Sequence, residues 1–272
     1  MSMRVGKVAN VGWAERVDAR RLSQSRARML TRGTATASER PETKRPSAAV
    51  LKMWREADAV AFDVDSTVCV DEGIDELGAF LGARERVEAI TKKAMEGGMD
   101  FSEALQLRLE AMAVTSDSLK AFVSQHPPRY SNGIKVLVDS LRANGKEVFL
   151  VSGGFRQMVH PVGAGLSVPT ANIHANTITF NADGSLKGFD RNEFPSKSGG
   201  KATAVKHIKA TRGYKTMVMI GDGATDLEAR VAGGADIFIG YGGAQRRPKV
   251  EAEADWFVTD LLVLAEALSQ EA

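Results

Sequence analysis

The sequence predicts an α/β fold: a parallel sheet with helices on both faces and a small helical cap inserted after the first strand. Three observations carry this expectation. Short apolar runs, Ala59-Val60-Ala61-Phe62, Val148-Phe149-Leu150-Val151 and Met217-Val218-Met219-Ile220, read as strands buried on both faces. Helical stretches alternate with them, as in a parallel sheet. Each run ends in residues able to do chemistry: Asp63 and Asp65, Ser152, and Asp222. A parallel sheet brings such strand ends to one edge, where ligands bind in open α/β folds.

The elements follow in chain order. A helix over Ala48–Glu56 precedes a strand over Val60–Asp63. Residues 71–125 read as helical throughout, in the segments Ile74–Leu81, Arg84–Met95, Phe101–Ala113 and Ser116–Val123. Pro127-Pro128 closes that block. Residues 75–128 are therefore the expected cap, and 47–74 with 129–272 the expected core. A helix over Gly133–Asn144 leads to a strand over Glu147–Val151, which ends at Ser152-Gly153-Gly154. A β-rich excursion over Asn172–Phe189 has Asp183-Gly184 as a hairpin turn. A helix over Lys201–Ala210 and the strand Met217–Ile220 come next. Short strands over Asp236–Ile239 and Trp256–Val258 and a final helix over Asp260–Ser269 complete the chain.

Composition narrows the class. At 272 residues, 43% hydrophobic and 26% charged, the chain can bury a large core. The single Cys, Cys69, excludes an internal disulfide and fits a reducing compartment. The four histidines, at 126, 160, 174 and 207, lack zinc-ligand spacing. No apolar run approaches the ~20 residues of a transmembrane helix. Charge is uneven. Residues 1–46 hold 11 Lys/Arg against 4 Asp/Glu, while the rest hold 25 against 30. The acidic remainder argues against a nucleic-acid surface. The basic segment is rich in Arg, Ser, Thr and Ala and lacks a secretory apolar core. It reads as an organellar transit peptide, with a plastid as the first destination and a disordered basic tail as the alternative.

Two carboxylates two residues apart on a strand would share a face, so Asp63 and Asp65 are expected to converge. They repel unless a cation or proton relieves them. The loop Gly221-Asp222-Gly223-Ala224-Thr225-Asp226 adds two more acids. Oxygen-only ligands select a hard ion, and Mg²⁺ fits best. Ser152-Gly153-Gly154 offers a hydroxyl and flexible amides to an anion, or is a tight turn. Ser198-Gly199-Gly200-Lys201 puts a cation at a helix start, where the dipole disfavours it. A bound phosphate explains that placement; a solvated Lys is the plainer alternative. Together, a carboxylate nucleophile, a second carboxylate, a hard cation, a hydroxyl and a Lys describe phosphoryl transfer through an aspartyl-phosphate.

The segments Phe62-Asp63-Val64-Asp65-Ser66-Thr67, Val151-Ser152-Gly153-Gly154, Gly200-Lys201 and Gly221-Asp222-Gly223-Ala224-Thr225-Asp226 resemble the four motifs of the haloacid dehalogenase-like phosphatases, with their Rossmann-like core. Glu72-Gly73-Ile74-Asp75, Ala94-Met95, Phe101 and Arg108 extend the resemblance to the phosphoserine phosphatases of that superfamily, closest to the eukaryotic and plant-like forms. It covers residues 50–268. The resemblance implies that Asp63 is the nucleophile and Asp65 the general acid/base. It implies Mg²⁺ held by the Asp63 carboxylate, the Asp65 carbonyl and Asp222, with Asp226 behind them. It implies phosphoryl binding by Ser152, Gly153 and Lys201. Glu72 would take the ammonium of O-phospho-L-serine and Arg108 its carboxylate. Met95 and Phe101 would form an apolar lid, with Thr225 a further contact. Glu96 departs from the family, which often has a small residue there, and adds charge near the pocket mouth. A related small-molecule phosphatase or phosphotransferase is the alternative these residues allow.

Overall fold

The computed structural model describes residues 45–95 and 99–269. The basic segment up to Lys44, Glu96 and the side chain of Met95 lie outside the described residues.

After helix α1 (Ala48–Glu56) the chain enters strand β1 (Ala59–Phe62). Four helices follow: α2 (Gly73–Phe80), α3 (Arg84–Met95), α4 (Phe101–Met112) and α5 (Ser116–Gln125). Then come α6 (Ile134–Ala143), β2 (Glu147–Phe155), α7 (Arg156–Gly165), β3 (Ile173–Asn176) and a hairpin of β4 (Ile178–Phe180) and β5 (Leu186–Phe189). The chain ends with α8 (Gly200–Arg212), β6 (Met217–Gly221), α9 (Ala224–Leu227), β7 (Ile237–Tyr241), α10 (Pro248–Glu253), β8 (Trp256–Val258) and α11 (Leu262–Ser269). No helix among the described residues is long and apolar enough to cross a membrane.

Six parallel strands form one sheet in the order β3-β2-β1-β6-β7-β8. The chain leaves β1 toward β2 and β3 on one side and later fills β6, β7 and β8 on the other. The switch point is therefore at β1, where a ligand crevice opens beyond the strand ends. Phe62 pairs with both Leu150 and Ile220, so the residues just past them emerge level.

Alternation along the strands sorts the core into two layers. Val60, Phe62, Leu150, Ile220 and Ile239 face α1, α6, α7 and α11. Ala59, Ala61, Phe149, Met219 and Phe238 face α8, α9 and α10. Trp54 and Trp256 meet edge to face at 6.4 Å in the first layer, and Trp54 Nε1 donates to the Leu264 carbonyl at 3.1 Å. Each such buried side chain contributes about 1.5–3 kcal/mol. A third cluster joins Leu77, Val87, Leu105, Leu109, Leu119 and Phe122 of the inserted helices to Phe155 of β2 and to Ile178 and Phe189 of the hairpin. The hairpin thus packs with the inserted helices and Phe155, and pairs with no strand of the main sheet.

The structure corrects several sequence expectations. β1 stops at Phe62, so Asp63 and Asp65 lie in a turn beyond the strand. β2 runs on through Ser152-Gly153-Gly154 to Phe155, but its register against β3 shifts between Val151 and Phe155, so these residues form an irregular stretch of strand instead of a turn. β3 belongs to the main sheet and not to a separate excursion. Helix α7 is disguised in sequence by Pro161, Gly163 and Gly165, and α9 and α10 are too short to show a period.

Candidate active site

The turn after β1 is built from Asp63 outward. Asp63 Oδ1 accepts from the Val64 amide at 2.7 Å, and the wide turn closes where the Cys69 amide donates to the Val64 carbonyl at 2.9 Å. Ser66 inside it has φ 54°, a left-handed conformation uncommon for a residue with a side chain. Its hydroxyl donates to Glu72 Oε1 at 2.7 Å, which fixes Glu72 over the turn. Asp65 Oδ1 accepts from the Gly73 amide at 2.8 Å. The turn, not strand alternation, brings Asp65 back toward Asp63.

Lys201 arrives from the first turn of α8. Its Nζ lies 2.7 Å from Asp63 Oδ2 and 2.7 Å from Asp226 Oδ1, with only 10% of the side chain exposed. Burial works against its charge, but Asp226 and Asp63 outweigh burial and hold the ammonium above its ordinary range. The cation at a helix start is thus matched by two carboxylates. Asp226 Oδ2 also accepts from the Gly223 amide at 3.0 Å. Asp222 accepts from Thr67 Oγ1 at 3.3 Å and from Arg247 Nε at 2.8 Å.

Ser152 is fully buried, and its Oγ accepts from the Gly154 amide at 2.9 Å. Gly154 sits in close quarters: a Cβ there would lie 3.0 Å from Asp65 Oδ2 and 3.1 Å from Ser152 Oγ, so those side chains would have to give by a few tenths of an ångström. Asn176, at the end of β3, donates to the Gly153 carbonyl at 2.8 Å and to the Pro195 carbonyl at 3.3 Å.

A cleft of about 540 Å³ opens between the strand ends and the inserted helices, with the fully buried Ser152 and Asp226 behind its wall. Asp63, Asp65, Glu72, Gly153, Lys201, Asp222 and Thr225 lie along it, as do Phe101 and Arg108 of α4. Thr225 is exposed on the short helix α9. Arg108 Nε donates to the Ala104 carbonyl of its own helix at 3.1 Å. Burial pulls the Arg108 pKa down, against the pull of Asp75, Glu72 and Asp65. The expected lid residue Met95 and its neighbour Glu96 cannot be placed from the described residues.

Carboxylates outnumber cations here. Asp63, Asp65, Glu72, Asp222 and Asp226 face Lys201, Arg108 and Arg247. Burial, then the Asp63 charge, pushes the Asp65 carboxyl up to about 7. Burial and Asp63 likewise raise Asp222 and Asp226, and burial raises Glu72. Asp63, Asp222 and Asp226 each offer one oxygen within 4.8 Å of the others, a group able to hold a metal ion. Asp226 offers an oxygen to this group while its other contacts are to Lys201 and the Gly223 amide. The donors are all carboxylate oxygens and the charge is in deficit, which suits a hard divalent cation.

The sequence reading missed Arg247. Its Nη2 lies 3.8 Å from Glu72 Oε1, so one guanidinium ties Glu72 to Asp222. The available signal was topological: the loop after β7 emerges at the same sheet edge, and it carries Arg246-Arg247 before Pro248. Asn176 was missed because nothing local distinguishes it from an ordinary strand-end Asn.

Such a site can place a carboxylate nucleophile against a charged centre, with an acid of near-neutral pKa beside it. Residues 57–234 match the haloacid dehalogenase-like hydrolases. Over 213 residues the chain is 54% identical to the phosphoserine phosphatase, chloroplastic, of Arabidopsis thaliana, covering 78% of this chain and 72% of that one. Over 219 residues it is 42% identical to the phosphoserine phosphatase of Mus musculus, covering 80% and 96%. Among solved structures, a phosphoserine phosphohydrolase-like protein from Francisella tularensis superposes with a TM-score of 0.67 at 30% identity, over 78% of this chain and all of that one. The chain belongs to the haloacid dehalogenase-like hydrolases, within their phosphoserine phosphatase family.

Proposed function

We propose that this chain hydrolyses O-phospho-L-serine to L-serine and phosphate, the last step of phosphorylated serine synthesis. The observation that carries the reading is the Asp63–Lys201 contact at 2.7 Å, lying under a cleft walled by Glu72 and Arg108. Asp63 attacks phosphorus, the P–O bond to serine breaks, and Asp65 gives its proton to the departing seryl oxygen. Water then attacks the phosphoaspartate, passes a proton to Asp65, and Asp63 is released. A carboxyl with a pKa of about 7 suits both transfers near neutral pH. Lys201, Ser152 and the Gly153 amide bear the charge of the transferring group. Mg²⁺ fits the chemistry of the acid cluster, and the Asp63 and Asp222 carboxylates with the Asp65 carbonyl would hold it, with Asp226 in support. When bound it neutralises charge on the phosphoryl oxygens.

Glu72 pairs with the substrate ammonium and Arg108 with its carboxylate. Phe101, on the cleft wall, excludes water. The test is phosphate release from O-phospho-L-serine, with and without Mg²⁺, against phosphothreonine and sugar phosphates. Mg²⁺-dependent preference for phosphoserine is expected. Equal rates across the panel would discard the Glu72/Arg108 assignment, and no turnover by folded protein would discard the reaction. Asp63→Asn should abolish turnover and phosphoenzyme formation without unfolding the chain.

The Arabidopsis relative is named chloroplastic, and the basic segment 1–46 supports a plastid address for this chain. Fusing residues 1–46 to a fluorescent protein should direct it to plastids; cytosolic fluorescence would refute the address.

A further inference from the structure

A second cavity lies behind the first. It encloses about 230 Å³ between the turn after β1, the end of α5, the Pro127-Pro128-Arg129 return and helix α7. It shares Asp65, Gly154 and Phe155 with the main cleft, and its remaining lining comes from where the inserted helices rejoin the sheet. The phosphoryl chemistry uses no other residue of its lining.

Two features define what it takes. Its body is apolar: Val64, Phe122, Val123, Met158, Val159 and Val162 line it. An apolar cavity of about 150 Å³ holds a benzene ring, so this one has room for a ring and a short chain. Met158 is an adaptable wall, and Phe122, stacked on His126 at 4.5 Å, is an aromatic one. Its polar side is acidic. Asp65, Asp71 and Glu76 line it against one guanidinium, Arg129, which lies 3.0 Å from Asp71. Glu76 has no cationic partner among the described residues. A cation can meet Glu76 while its apolar body packs among Phe122, Val123 and Met158.

We propose that this cavity is a second ligand site, for a small organic cation with an apolar body, such as an arylalkylamine of one ring. A ligand seated there touches α5, the return segment and Asp65 together, so its occupancy and the ligation of the main cleft are coupled, and reciprocally so.

The test reads binding directly, so it stands whether or not phosphoserine is the substrate. The full chain is titrated with 2-phenylethylamine, with neutral ethylbenzene and with phenylacetate, using ligand-observed NMR and thermal shift. The amine should bind at least about tenfold more tightly than the anion, a difference of about 1.4 kcal/mol. Val123→Phe, which fills the cavity, should weaken the amine about tenfold or more. Glu76→Gln, on a partly exposed position, should erase the preference for cation over anion while leaving the melting temperature unchanged. No binding of the amine, equal binding of all three probes, or binding indifferent to both substitutions would overturn the proposal.

Discussion

Arg247 is the residue whose role the geometry defines most sharply beyond the motifs. It donates to Asp222 and approaches Glu72, so it joins an acid of the candidate metal-binding group to the acid proposed to take the ammonium. Burial opposes its charge, yet the hydrogen bond and charge of Asp222 keep its pKa above the ordinary value. Arg247→Met should leave Asp222 and Glu72 less well placed. A charged hydrogen bond is worth about 1.5–3 kcal/mol, so kcat/KM for phosphoserine should fall roughly ten- to hundredfold. Steady-state kinetics with an unchanged kcat/KM would dismiss the assignment. Asp65→Asn removes the proposed proton donor and should cost on the order of 10²–10⁴ in rate. A near-normal rate would take Asp65 out of proton transfer. Asp63, Asp65, Ser152, Lys201 and Asp222 were legible in sequence because each sits in a short motif with its own signal. Arg247 and Asn176 were not, since they meet their partners only through folding: Arg247 across 25 residues to Asp222, Asn176 across 23 to Gly153.

At the level of elements, the site depends on how α8 begins. Gly200 starts the helix one residue before Lys201, and a Cβ there would lie 2.1 Å from the Phe194 carbonyl oxygen and 2.9 Å from Pro195 Cα. Both obstacles are backbone, so they cannot swing aside. The same segment is tied to β3 and β2, because Asn176 donates to both the Pro195 and Gly153 carbonyls. Gly200→Ala should therefore cost about 1–3 kcal/mol in stability and lower kcat by shifting Lys201. Urea unfolding and turnover measured together check this: a stable variant with full activity would show that the Phe194-Pro195 turn can yield. Asn176→Ala should raise KM for phosphoserine and weaken inhibition by inorganic phosphate, by loosening the Gly153 peptide. The strands were readable because short continuous apolar runs fit strands buried on both faces and are too short for buried helices. The hairpin's partner was not readable. Ile178 and Phe189 look like ordinary strand residues, and only the structure shows that they complete the core of the inserted helices.

For the whole molecule, buried titratable groups set the pH dependence of stability. His174, at β3, has its pKa pressed down to about 4, first by burial and then by the nearby positive charge of Arg156, with His207 and Arg212 adding and Glu193 opposing. An unfolded His titrates near 6.5. Between those values the unfolded chain binds a proton that the folded chain refuses. The contribution of His174 is thus intact above pH 6.5, declines as pH falls toward 4, and is spent below that. Asp65 acts in the reverse sense. Its raised pKa favours the folded state below its unfolded value, and that advantage is lost as pH rises through 7. The two slopes oppose each other over much of the same window, so the wild-type profile alone cannot reveal either. The informative quantity is the difference between the wild type and His174→Gln, which keeps a polar side chain but removes the titration. The wild type should lose melting temperature faster than the variant from pH 6.5 to 4, by about 2–4 °C for each kcal/mol of linkage. Parallel curves would mean that His174 accepts its proton in the folded state. The packing of Arg156 and Phe149 around it would then be looser than the ring distance of 6.4 Å between Phe149 and His174 implies.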